Sequence, residues 1–102
     1  MPRYRLSLAA DSDLTELYAY SYREFGEAQA DSYFVSLENC LQRIGEQPLL
    51  GADVGSLRAG YRRLVHREHA IYYRLEPAGV VIVRVLGPGM AAEKQLPRSP
   101  ET

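Results

Sequence analysis

The hydrophobic positions change period once along the chain, dividing it into a helical half and a strand half. Arg3 to Leu8 alternates, with Tyr4, Leu6 and Leu8 on one side and Arg3, Arg5 and Ser7 on the other. That spacing predicts a half-buried strand. Leu14, Leu17, Tyr18, Tyr22 and Phe25 then recur at helical spacing, with Ser7 placed to cap the helix. Asp11 and Asp13 fall in the early turns, where the helix dipole favours them, and Gly26 supplies the stop. A second stripe follows at once: Ala30, Tyr33, Phe34, Leu37, Leu41 and Ile44, closed by Gly45 and Pro48. With one glycine between them, the two helices must fold back as an antiparallel hairpin facing a common sheet.

Leu49 to Ser56 reads as a loop, and after it the period becomes two. Tyr61–Val65, Ala70–Leu75 and Val80–Leu86 are predicted strands, joined by turns short enough to make each antiparallel to the next. Gly87-Pro88-Gly89 halts the last of them, leaving Met90 to Thr102 as a tail, frayed from Pro97. The expected fold is α+β: a strand, a helical hairpin and three antiparallel strands, forming one sheet with both helices on one face. Residues 1–96 are expected to form a single domain and 97–102 a flexible tail. In the last strand, Val81, Val83 and Val85 would share one face, and Val80, Ile82 and Leu86 the other with Arg84. The helices can cover only one face, so the second needs a cover of its own. A partner chain is the preferred candidate, with Met90 and Leu96 of the tail as the alternative.

Composition narrows the setting more than the fold. At 102 residues, 46% apolar and 25% charged, the chain suits one ordinary globular domain. It has no apolar run long enough to cross a membrane, and Met1 to Leu6 lacks the apolar stretch of a secretory signal, so no leader is expected. The single cysteine, Cys40, cannot form an internal disulfide, so a cytoplasmic location is expected. A net charge of −1 conceals an asymmetry: residues 1–56 carry four Arg against nine acidic residues, and 57–102 carry eight Lys or Arg against four Glu. A basic second half could meet nucleic acid or an acidic protein segment. An overall pI near 6.1 argues against a dedicated, sequence-specific nucleic-acid binder.

Candidate chemistry is sparse. Asp11, Asp13 and Glu16 lack metal-ligand spacing, His66 and His69 have no third ligand nearby, and no metal or cofactor is expected. The two histidines flank a tight turn and read as solvent-exposed. Cys40, beside the stripe residue Leu37, reads as a packed thiol. Gly51 to Gly55 lacks the lysine and the strand-to-helix setting of a phosphate loop. Tyr4, Tyr18, Tyr22 and Tyr33 lie on buried stripes, and Tyr20 lies off them.

Three stretches resemble a known family. Tyr4-Arg5-Leu6-Ser7-Leu8-Ala9-Ala10 with Asp13-Leu14 is similar to the opening of ParE toxins, and Gly26-Glu27 with Gln29-Ala30 and Tyr33 to their helix junction. Leu57-Arg58-Ala59-Gly60-Tyr61-Arg62-Arg63, then His69-Ala70-Ile71-Tyr72-Tyr73-Arg74 and Val81 to Leu86, is the strongest match. The resemblance spans about residues 3 to 96. It implies a RelE/ParE-like fold and the toxin of a type II toxin–antitoxin system, a non-catalytic inhibitor of DNA gyrase acting at the A subunit. A ParD-like antitoxin with a ribbon-helix-helix domain would neutralise it in a toxin–antitoxin hetero-oligomer.

On that reading Arg58, Tyr61, Arg62, Arg63, Tyr72, Arg74 and Arg84, with Val80, Ile82 and Leu86, would bind the antitoxin. Gly87, Pro88, Gly89 and Met90 would contact the target, at a place where the family reads His-Gln-x-Met and this chain keeps only Met90. Two alternatives stay open. One is a RelE-like, ribosome-dependent messenger-RNA endonuclease using Arg62, Arg63 and Tyr72. The other is an inactive module that binds an antitoxin and represses its own operon.

Overall fold

The computed structural model describes residues 3–97. Strand β1 (Tyr4–Leu6) leads into helix α1 (Leu8–Phe25), which Ser7 caps: its hydroxyl oxygen accepts from the Ala10 amide at 3.0 Å. Gly26 closes α1 and opens α2 (Glu27–Glu46) at φ +89°, a conformation open to glycine at little cost. Across this hairpin the Tyr18 and Phe34 rings meet edge-on at 5.8 Å, and the Tyr18 hydroxyl donates to Asp31 at 2.5 Å. That bond is the main reason the phenol is pushed up to about 12.

Four more strands follow: β2 (Ala52–Asp53), β3 (Tyr61–His66), β4 (His69–Glu76) and β5 (Gly79–Leu86). The sheet runs β1-β5-β4-β3-β2, with β1 parallel to β5 and the other neighbours antiparallel. This is the expected α+β architecture, with the first expected strand cut back to Tyr4–Leu6 and the three later ones each one or two residues longer. The stretch read as a loop contributes β2 at the sheet edge. The stretch read as a tail holds a short helix, α3 (Ala92–Gln95). Pro97 is the only described residue of the expected 97–102 tail; 98–102 lie outside the described residues.

The core lies between the helical hairpin and one sheet face. Ala10, Leu14, Leu37, Leu41 and Ile44 pack there on Ile71, Tyr73, Val80, Ile82 and Val85, with the Cys40 thiol buried among them. The helical stripes reach this core unevenly. Leu14 is buried, but Tyr22 and Phe25 are 49% and 57% exposed, so their half of the stripe is not core. They lie on the last turns of α1, towards the Gly26 bend. Leu8, read as the end of the strand, instead begins α1 and is exposed.

The expected faces of β5 are half right. A bulge interrupts its pairing with β4: Tyr72 lies opposite Arg84 and Tyr73 opposite Ile82, so Val83 drops out of register. An extra residue shifts the alternation beyond it. Val80 and Ile82 therefore join Val85 beneath the helices, while Val81 and Val83 join Leu86 on the other face. Two side chains from the start of the chain reach the bulged backbone. The Ser7 hydroxyl donates to the Val83 carbonyl at 2.7 Å, and Asp13 accepts from the Val85 amide at 2.9 Å.

Beside the core, the buried Tyr73 hydroxyl donates to the Pro48 carbonyl at 2.7 Å and accepts from the Gly51 amide at 2.8 Å. The contact requires glycine, because a Cβ at Gly51 would stand 2.7 Å from the Arg63 carbonyl oxygen. Tyr73→Phe leaves both backbone groups unpaired. It should lower stability by about 1–3 kcal/mol in denaturant unfolding, with no change in secondary structure.

Candidate functional site

The second sheet face carries most of the residues expected to meet a partner. Tyr61, Tyr72, Val81, Val83 and Leu86 form a buried apolar cluster there, flanked by Leu57 and Ala70. Its cover is the chain itself: Leu96, 5% exposed, plugs the cluster beside Ala92. The preference for a partner as cover is corrected on this point. Met90, named with Leu96 as a possible cover, stays 43% exposed.

Arginines ring this cluster. Arg74 is buried and pairs with Glu76 at 3.2 Å. Arg84 grips Asp13 with two bonds of 2.8 Å, and this pairing raises its pKa above the ordinary guanidinium value. Its other amino group donates to the Gln95 side chain at 3.0 Å and to the Gln95 carbonyl at 3.4 Å. Arg58 donates to its neighbour's carbonyl at Leu57 and to that of Glu93. Its Nε is buried with no partner among the described residues. Arg63, opposite Tyr72, is exposed.

Three expected members fall elsewhere. Val80 and Ile82 lie in the core beneath the helices, at 2% and 0% exposure, because they precede the bulge. Neither can receive a partner's side chain while the hairpin is packed. Arg62 alternates to the helical side of β3 and bonds the Gly51 carbonyl at 2.9 Å and that of Leu49 at 3.4 Å. The trio Arg62, Arg63 and Tyr72 therefore does not gather at one point. Its arginines lie on opposite faces, and Tyr72 is buried.

Gly87 to Met90 makes a tight turn after β5, with the Met90 amide bonded to the Gly87 carbonyl at 3.3 Å. Pro88 borders a cleft of about 580 Å³ shared with Tyr20, Phe25, Tyr33, Arg67 and His69. Here the reading of the histidines as solvent-exposed turn residues is overturned. His69 Nδ1 shares a hydrogen bond of 2.7 Å with the Tyr33 hydroxyl, and His66 Nε2 one of 3.0 Å with Ser36. The Arg67 guanidinium lies 5.3 Å from the centre of the Tyr33 ring. Burial lowers both imidazole pKa values; the Arg67 charge adds to this at His66, while Glu68 opposes it at His69.

At Gly87 a Cβ would stand 3.5 Å from His69 Nε2, so an imidazole occupies the neighbourhood that the missing side chain leaves open. The cluster was visible in part. His66 shares a face with Leu64, and His69 with Ile71, so alternation points both rings towards the helices. Their partners on α2 were out of reach of any local pattern.

No group of three or more metal-ligating side chains occurs among the described residues, and no helix there is long and apolar enough to cross a membrane. Residues 4–91 match the family model described as the ParE toxin of the type II toxin–antitoxin system parDE. Toxin ParE1 of Caulobacter vibrioides is 38% identical over 96 residues, covering 94% of this chain and 99% of its own length. Toxin ParE1 of Mycobacterium tuberculosis is 34% identical over 95 residues, covering 92% and 97%. A solved structure described as the chromosomal ParDE system from P. aeruginosa superposes with a TM-score of 0.74 at 19% identity. It covers 85% of this chain and 96% of that one, and shares the fold. The fold and its comparisons define a toxin of a type II toxin–antitoxin system. The chain belongs to the ParE toxin family.

Two outcomes follow for the polar clusters near the C-terminal end of β5. A histidine held neutral by the fold stabilises it fully above its unfolded pKa, and that stability is lost as the pH falls through the lowered folded value. Unfolding free energy should therefore decline below about pH 6.5 in the native protein. The decline should be shallower in a His66→Gln, His69→Gln variant, as read from denaturant titrations across pH. Asp13→Ala strands Arg84 and the Val85 amide together. It should lower stability by about 2 kcal/mol, between the values for exposed and buried pairs, in the same assay.

Proposed function

We propose that this toxin acts by binding rather than by catalysis, with DNA gyrase, at its A subunit, as the target. A ParD-like antitoxin bearing a ribbon-helix-helix domain would neutralise it by occupying the second sheet face. The observation carrying this reading is that face itself: Tyr61, Tyr72 and Leu86 form an apolar floor ringed by Arg58, Arg63, Arg74 and Arg84. Such a surface suits an acidic, apolar segment that orders on binding. A binding mode of action is supported by the separation of Arg62, Arg63 and Tyr72, which leaves the endonuclease reading without an assembled centre. Pro88, at the rim of the cleft lined by His69 and Tyr33, and the exposed Met90 that follows it offer the surface for the target.

The test is induced expression in a bacterial host, followed by microscopy and primer extension on messenger RNA. Filamentation with a DNA-damage response and intact transcripts is expected, together with rescue by the antitoxin gene encoded beside the toxin. Arrest with fresh cuts inside codons would replace this reading with the endonuclease. Normal growth with abundant folded protein would leave only the antitoxin-binding module.

A further inference from the structure

The segment covering the second face is held in an unusual way. From Ala91 to Pro97 only Leu96 is buried, and the segment's one regular element is the four-residue α3, without a side-chain cap. A single helical turn has little stability of its own. What holds it is one apolar plug and a set of neutral acceptors on charged or phenolic donors. Arg58 donates to the Glu93 carbonyl, Arg84 to the Gln95 carbonyl and side-chain oxygen, and the Tyr61 hydroxyl to the Pro97 carbonyl at 3.5 Å. On the strap's side, Arg58 thus meets only neutral oxygens, and so does the amino group of Arg84 that is left over from its pairing with Asp13; the buried Arg58 Nε is met by none of the described residues.

Guanidinium bonds to carboxylates are roughly twice as strong as those between neutral groups. A segment presenting an apolar anchor and suitably spaced carboxylates would therefore satisfy this surface better than residues 91–97 do. We propose that residues 91–97 are a displaceable strap, standing in for a partner segment of matching pattern. That segment sets an apolar side chain in the Leu96 seat between Tyr61, Tyr72 and Leu86. It places carboxylates on Arg84 and Arg58, at the positions now taken by Gln95 and the Glu93 carbonyl.

The strap shields the apolar floor while no partner is bound, as an uncovered patch of this kind favours aggregation. It also lowers the apparent affinity of any partner, because the competent state is only the fraction with the strap released. This inference rests on the reading of the second face as the antitoxin's, and it adds the chemistry of the segment and the step that must precede docking.

Two substitutions separate displacement from an ordinary interface role, because they act in opposite directions. Leu96→Ala loosens the strap and should tighten binding of the antitoxin encoded beside the gene by about ten-fold. Gln95→Glu places a carboxylate on Arg84, strengthens the strap and should weaken that binding several-fold. Hydrogen exchange supplies a second readout: amides of 91–96 should exchange faster than those of β5 in the free toxin, and faster still in the complex.

Weaker binding by Leu96→Ala, equal binding by both variants, or strap amides protected in the complex would each overturn the proposal. If wild type and Leu96→Ala both bind no antitoxin, the partner reading itself fails. Strap amides as slow as β5 in the free toxin would then overturn the strap independently.

Discussion

The carboxylate of Asp13 holds together more of this molecule than any other single group. From the second turn of α1 it receives two guanidinium bonds from Arg84 and the backbone amide of Val85, both on the far side of the bulge in β5. Ser7, which caps the same helix, binds the Val83 carbonyl on the near side. A bulge takes backbone groups out of the sheet ladder, and buried groups without partners are costly. Here the start of the first helix supplies partners at both positions. The two side chains thereby support the register that sends Val80, Ile82 and Val85 into the core and Val81, Val83 and Leu86 to the opposite face.

That choice creates a second cluster with no helical layer above it. A sheet apolar on both faces must bury both, and the hairpin can serve only one. The other is met by the short segment 91–97, through a leucine and a few carbonyls. The arginines around it are engaged internally in different degrees. Arg84 is committed to a carboxylate, Arg58 relies on carbonyls, and Arg63 stands in solvent. A surface ordered in this way is closed in the free toxin yet remains open to exchange for better acceptors.

At the end of the hairpin nearest the β3–β4 turn, the same economy gives a different result. His66 and His69 flank the turn but are tied to Ser36 and Tyr33 of α2, which fixes how the turn lies against the helices. The loop after β5 has glycine where relatives in this family were expected to carry polar side chains, and His69 lies against that gap. Toxin surface at this end is thus built from residues of three elements rather than from one contiguous motif.

Much of the fold was legible because its signals are local. Ser7 as cap, Gly26 as the pivot of the hairpin, the change of period after Ser56 and the short turns each act within a few residues of their effect. The surface that the family resemblance implied included Tyr61, Tyr72, Arg74, Arg84 and Leu86, which alternation along the strands does bring to one face, but also Arg62, Val80 and Ile82, which lie on the other.

What it could not show were consequences of contacts across the chain. The bulge that moved Val80, Ile82 and Val85 is met by residues more than seventy positions away. The histidines found partners thirty and thirty-six positions earlier. Leu96 became a lid only because an apolar face lay beneath it. Alternation and helical spacing report which side of an element is apolar; which side faces what is decided by packing, where each buried polar group must find its partner.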